Sequence, residues 1–112
     1  LKKVTISIQQ IAPLGQITWT EGIEETTKKN EKFRQEIVSF LTKHINHDWG
    51  NLTSKDDAAM NDRAVKKADG GRLHSGYQAS NGQKIWIVTN GFGNQDLGAE
   101  FCHTTVMFPS EY

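Results

Sequence analysis

The chain is poor in the features that usually announce a function. It has one cysteine, Cys102, so no disulfide can close within it and nothing points to an oxidising compartment. It has no charge surplus, because thirteen Lys and Arg balance thirteen Asp and Glu. Residues 1–50 carry seven basic and six acidic side chains, and residues 51–112 carry six and seven. The basic footprint that nucleic-acid binding leaves in net charge is missing, as is the acidic surface of a DNA mimic. No stretch approaches the roughly 20 apolar residues of a membrane span, and no signal-peptide pattern is visible. The cytoplasm is the expected location. No glycine-rich loop leads into a helix and no ligand spacing matches a metal motif, so no cofactor is expected.

Apolar residues make up 36% of the 112, with three Trp and five Phe. That length forms one domain, residues 1–112, and buries roughly two-thirds of the extended chain's surface. Disorder is not expected of such a composition. The clearest local signal lies in the C-terminal third. Residues 72–79 and 84–90 flank Ser80-Asn81-Gly82-Gln83, and Asn-Gly between two strand-like runs marks a hairpin. A third run, 101–109, follows a glycine-rich loop. Residues 4–8 alternate as a first strand, and 16–20 form a second short strand or an irregular entry. Phe33, Ile37, Phe40, Leu41, His44 and Ile45 recur at helical spacing, which predicts one helix over 24–46 with Thr26, Thr27 or Asn30 at its start. A second helix opens at Thr53 or Ser54 and stops at Gly70-Gly71, with Ala59 or Met60, Ala64, Val65 and Ala68 as its thin apolar face. The predicted fold is α+β, in the order β-α-α-β-β-β, with a three- to four-stranded antiparallel sheet and two helices on one face.

His47-Asp48-Trp49-Gly50-Asn51-Leu52, then Asp57 and Asn61, then Gly71-Arg72-Leu73 and Ser75-Gly76-Tyr77 form an ordered series. It continues through Asn81-Gly82-Gln83-Lys84-Ile85-Trp86-Ile87-Val88-Thr89 to Thr104-Thr105 and Pro109-Ser110-Glu111-Tyr112. This series, spread over roughly residues 33–112, resembles a family of short bacterial, plasmid and phage proteins, usually labelled uncharacterised or plasmid-related. Some members carry a label linking them to a type I restriction methylation subunit. Such a subunit needs a nucleotide-cofactor domain and a catalytic motif, and neither fits here. The resemblance therefore implies a mobile-element setting rather than a reaction.

Each candidate group has a functional and a structural reading. His44 and His47, with Asp48 and either His74 or His103, supply zinc-type ligands, but nothing in the spacing brings them together. Asp48 and Trp49 suit a recognition loop; alternatively Trp49 plugs the core, Asp48 accepts from backbone N–H groups, and Gly50 takes a positive φ. Asp57 and Asn61 share a helix face and could present paired polar groups. Cys102 and His103 are adjacent in a strand, so they point to opposite faces. Asn90–Gly98 reads either as a flexible surface loop or as a long binding loop with Phe92, Asn94 and Asp96 as contacts. Trp86 and Val88 make their strand apolar on a second face, which implies either cover or an interface. The expectation is a non-enzymatic binding or regulatory protein, acting by protein contact or self-association on a partner such as a host defence component. A nucleic-acid-binding module and a small histidine-based metal or hydrolytic protein are the alternatives.

Overall fold

The computed structural model describes residues 5–11, 14–67, 71–92 and 102–112. Strands β1 (Thr5–Ile11) and β2 (Gly15–Thr20) come first, followed by helices α1 (Glu21–Lys29), α2 (Glu31–Ile45) and α3 (Lys55–Lys67). Strands β3 (Gly71–Gln78), β4 (Lys84–Phe92) and β5 (His103–Met107) follow, then a 3-10 turn at Pro109–Glu111. The α+β class is as expected, but the sheet has five strands in the order β1-β2-β5-β4-β3. It is mixed rather than antiparallel, because β2 runs parallel to β5, pairing Gln16 with His103 and Trp19 with Val106.

The single helix expected over 24–46 is two. Asn30 leaves helical geometry (φ −146°, ψ 100°), and its side chain accepts from the Phe33 N–H at 3.1 Å, capping α2. Thr26 and Thr27 lie inside α1, their hydroxyls bonded to the carbonyls of Gly22 and Glu24. The Asn-Gly turn forms as expected, with Gly82 at φ 88°. Glu36 on α2 accepts from both the N–H and the hydroxyl of Ser80, tying this turn to the helix layer.

Register fixes which side chains share a face. Leu73, Ser75 and Tyr77 on β3 pair with Thr89, Ile87 and Ile85 on β4, and Val106 and Thr104 lie beside Ile87 and Thr89. This face meets α1 and α2, where Ile23, Phe33, Ile37 and Phe40 join Ile85, Ile87 and Val106 in the main core. The alternate residues form the second face: His74, Trp86, Val88, Thr105 and Met107. Among the described residues no helix covers it.

Helix α3 lies along the outer edge of β3 rather than over the sheet. It packs Ala58, Ala64 and Val65 against Trp49, Leu73 and Phe92. Ala58 takes the place expected for Ala59 or Met60, and Met60 is exposed; Ala68 lies outside the described residues.

Candidate functional site

The edge of β3 explains much of the motif series. An outer strand presents unpaired backbone groups, which invite pairing with another chain unless covered. Here the Asn61 side-chain amide replaces a strand. Its NH2 donates to the His74 carbonyl at 2.8 Å, and its oxygen accepts from the His74 N–H at 3.0 Å. Two residues on, the Gly76 N–H donates to the Trp49 carbonyl and the Thr53 hydroxyl, while its carbonyl accepts from the Leu52 N–H. The approach is close. A Cβ on Gly50, at φ +85°, would stand 2.0 Å from the Gly76 carbonyl oxygen. Asp48, Trp49 and Asn61 therefore sit in an edge-closing arrangement. Trp49 is buried, stacks on His47 and donates its indole N–H to Asp62 at 2.9 Å. The Asp48 carboxylate accepts from the Gly50 N–H, and its carbonyl accepts from the Tyr77 hydroxyl. Burial raises the Tyr77 pKa, so that hydroxyl keeps its proton and donates.

His44 belongs to a buried polar chain that sequence reading missed. Its Nδ1 meets the Ser75 hydroxyl at 2.5 Å and its Nε2 meets the Thr89 hydroxyl at 2.9 Å. Thr89 meets the Thr104 hydroxyl at 2.7 Å, and Thr104 meets the Leu14 carbonyl at 2.8 Å. The carbonyl can only accept, and this orders the chain. Thr104 donates to Leu14, Thr89 to Thr104 and His44 Nε2–H to Thr89, while the Ser75 hydroxyl stands 2.5 Å from His44 Nδ1 and 3.5 Å from the Ile87 carbonyl. Burial, reinforced by His47 and His74, lowers the His44 pKa to about 3. The ring is thus neutral, and with Nε2 carrying its proton, Nδ1 accepts from the Ser75 hydroxyl. His44 and Ser75 look like a base and nucleophile, yet both are fully buried, and no substrate reaches them. A signal for the network did exist. Ser75, Thr89 and Thr104 are polar residues in the apolar-face register, beneath a helix that offers His44.

The four histidines do not meet. His44 lies in the core, His47 stacks on Trp49 beyond the end of α2, and His74 and His103 lie on the opposite sheet face. Among the described residues no group of three or more His, Cys, Asp or Glu is placed to hold a metal ion. Cys102 is buried, and burial raises its thiol pKa. Phe92, expected in a loop, is the last residue of β4 and packs in the core with Trp49 and Leu73, because β4 continues through Gly91 at φ 72°. Asn94 and Asp96 lie outside the described residues.

The second sheet face carries the exposed chemistry. His74 and Trp86 meet edge to face with centroids 4.6 Å apart, and Tyr112 stands over both, 5.5 Å from Trp86 and 6.4 Å from His74. The Arg72 guanidinium lies 5.0 Å from the Tyr112 ring centre and also donates to its hydroxyl. Partial burial, with Arg72 nearby, lowers the His74 pKa and favours the neutral ring. Two hollows flank this group. One, of about 100 Å³, is lined by Leu52, Thr53, Asp57, His74, Gly76 and Trp86 and brings the candidates Asp57 and Trp86 together. The other, of about 320 Å³, is bounded by Arg72, Asn90, His103, Thr105 and Tyr112 over a floor of Val88 and Met107. Of the residues singled out in the sequence, Trp86 and Asp57 reach this surface, as do His74 and His103, named there only as metal candidates; Arg72, His74 and Tyr112 were not singled out as a group, because only the fold assembles them. Comparison of the chain with models of protein families, with curated proteins and with solved structures gives no match.

Proposed function

We propose that this chain is a small binding protein without catalytic activity that contacts a partner protein through the helix-free face of its sheet. The observation that supports this reading is the Arg72–Tyr112–Trp86–His74 assembly, in which a half-buried Trp and an exposed Tyr and Arg stand together. Trp, Tyr and Arg are the side chains that most often carry the binding energy of protein interfaces, and they do so when clustered. Of the other large exposed apolar residues among those described, Leu52 lines the smaller hollow beside Trp86, while Val38 and Met60 stand apart on α2 and α3. The resemblance to short plasmid and phage proteins directs the search to bacterial host components, defence systems among them.

The test is affinity capture from bacterial extract with the wild-type chain, with a Trp86→Ala/Tyr112→Ala double variant, and with Val38→Ala as a control on the other side. A bound protein that survives nuclease treatment, is retained by V38A and is lost in the double variant is the expected result. Equal capture by all three forms overturns the assignment of the face. A species that disappears with nuclease moves the reading to nucleic acid. Light scattering on the same samples separates a second copy of this chain from a foreign partner.

A further inference from the structure

We infer that the 320 Å³ trough beside Tyr112 is a carboxylate-recognition pocket, taking one acidic residue of the partner together with an apolar or aromatic side chain next to it. This rests on the reading of the helix-free face as a protein-binding surface. The sequence places the lining groups through strand register. Asn90 on β4 pairs with His103 on β5, and one step along, Val88 pairs with Thr105. Arg72 occupies the irregular step between Gly71 and Leu73 on β3 and reaches the same hollow. The result is a polar rim of guanidinium, amide, imidazole and hydroxyl groups around the side chains of Val88 and Met107. Every polar side chain that the described residues place on that rim can donate a hydrogen bond, and no carboxylate is among the described lining residues.

The Arg72 guanidinium, unlike the buried Thr105 hydroxyl that accepts from Thr18, is also available. The Arg72 guanidinium has five N–H donors and spends one on the Tyr112 hydroxyl. The ion pairs among the described residues are Lys28 with Glu24 and Arg34 with Glu31, so Arg72 faces no counter-charge there. A guanidinium fork matches a carboxylate in two parallel hydrogen bonds, and such charge-assisted bonds are the strong ones. The floor is apolar and sheltered, with Val88 3% and Met107 1% exposed, so the bond forms in a partly dry setting with room for an adjacent apolar group. The volume lies at the small end of ligand pockets, which suits one side chain or two rather than a cofactor. A nucleic-acid strand fits less well. It needs several phosphate contacts along a track, and among the described residues a single permanent cation faces the trough, in a chain of zero net charge.

The experiment is calorimetric titration of the full chain with two blocked dipeptides, N-acetyl-Phe-Glu-amide and N-acetyl-Phe-Gln-amide, with phenyl phosphate as a third probe. Proton spectra of the His103 and Tyr112 rings locate the binding. The Glu peptide is expected to bind at least about tenfold more tightly than the Gln peptide. Arg72→Gln, at an exposed position, is expected to remove that preference while circular dichroism shows the fold intact, and Thr105→Val is expected to weaken the Glu peptide about threefold. Equal binding of both peptides, or an unchanged preference in R72Q, overturns the pocket. Binding of phenyl phosphate without the Glu peptide overturns the carboxylate assignment in favour of a phosphorylated ligand. If the Glu peptide binds as expected but extract capture ignores Trp86 and Tyr112, the pocket stands and the macromolecular reading falls. The reverse pattern removes the pocket alone.

Discussion

Ile87 and Trp86 are neighbours on β4 and end on opposite faces of the sheet. Ile87 is fully buried among α2 and its neighbouring strands; Trp86 is half-buried beside His74, Tyr112 and Met107. The helix-covered face excludes water with Ile and Phe and admits polar atoms only in a closed chain of hydrogen bonds. The helix-free face sets half-buried Trp86 and His74 and exposed Arg72 and Tyr112 around a buried floor of Val88, Thr105 and Met107. On the proposed reading one face sets stability and the other recognition. That division is open to direct test, because adjacent substitutions on one strand should separate the two properties. Ile87→Ala should lower unfolding free energy by about 3–4 kcal/mol, the range for a buried aliphatic residue. Trp86→Ala should lower it by less than a core Trp→Ala would, since part of its ring stays in water in the folded state. Urea melts of the two variants check this, and equal losses would erase the distinction between the faces.

The covered face has a weak point in acid. An unfolded chain protonates His44 near 6.5, whereas burial holds the folded value to about 3. Between those values the unfolded state takes up a proton that the folded state refuses. Stability is therefore complete above about 6.5 and declines as pH falls through the window, at a limiting slope of roughly 1.4 kcal/mol per unit. The shift of His74 has the same sign and adds to the decline. His44→Gln should flatten this slope between pH 7 and 5 while lowering stability at pH 7, where the Nδ1 and Nε2 bonds are lost. Urea midpoints measured across that range decide the matter. A wild-type slope that persists in H44Q would assign acid sensitivity to other groups.

The edge of β3 lies between the two faces. Asn61 supplies one donor and one acceptor to the His74 backbone from a buried position. Asn61→Ala leaves both backbone groups without that partner and should cost about 2 kcal/mol. Asn61→Asp should cost more, because a carboxylate oxygen would then face the His74 carbonyl. Hydrogen exchange at the His74 amide should quicken in both variants while the amides of the β4–β5 ladder stay slow. Uniform quickening would mean that the whole fold, not the edge, has loosened.

How far these features were legible differs by the range of the interaction. The β3–β4 hairpin was readable because Asn81-Gly82 and the alternation beside it are local. The stripe of α2 was readable because Phe33, Ile37, Phe40 and His44 repeat at the helical period. The Asn30 break was only partly readable: its capping residue was named, but Thr26 and Thr27 competed with it, and nothing local says that helix also precedes the cap. The parallel pairing of β2 with β5 joins Gln16 to His103, and no short-range pattern encodes such a contact. The same holds for the candidate site. Trp86 stood out as the second apolar face of its strand, whereas Arg72, His74 and Tyr112 gained meaning only when β3 and the C-terminal turn were placed beside it. Ser75, Thr89 and Thr104 passed as ordinary strand residues, since polar groups on a buried face are visible only once the faces are assigned.

The smallest expected effect comes from the residue that joins the two sides. The Glu111 carboxylate accepts from the Thr20 hydroxyl at 2.5 Å, the Gly22 N–H at 3.2 Å and the Phe108 N–H at 3.0 Å. It thereby fixes the 3-10 turn against the first turn of α1, where a negative charge is favoured by the helix dipole. The next residue is Tyr112, which lies over Trp86 and His74. Glu111→Gln keeps one acceptor oxygen and loses the charge, and should cost about 1 kcal/mol, a few degrees in Tm. Its larger consequence should appear on the helix-free face. With the turn loosened, Tyr112 should spend less time on Trp86, and the ring-current shifts of the Trp86 and His74 protons should shrink while those of Phe40 and Tyr77, stacked in the core 4.9 Å apart, remain. Binding through Tyr112 should weaken in proportion. If E111Q leaves the Trp86 and His74 shifts unchanged, Tyr112 is held by Arg72 and its own stacking, and the helix-free face is rigid independently of the core.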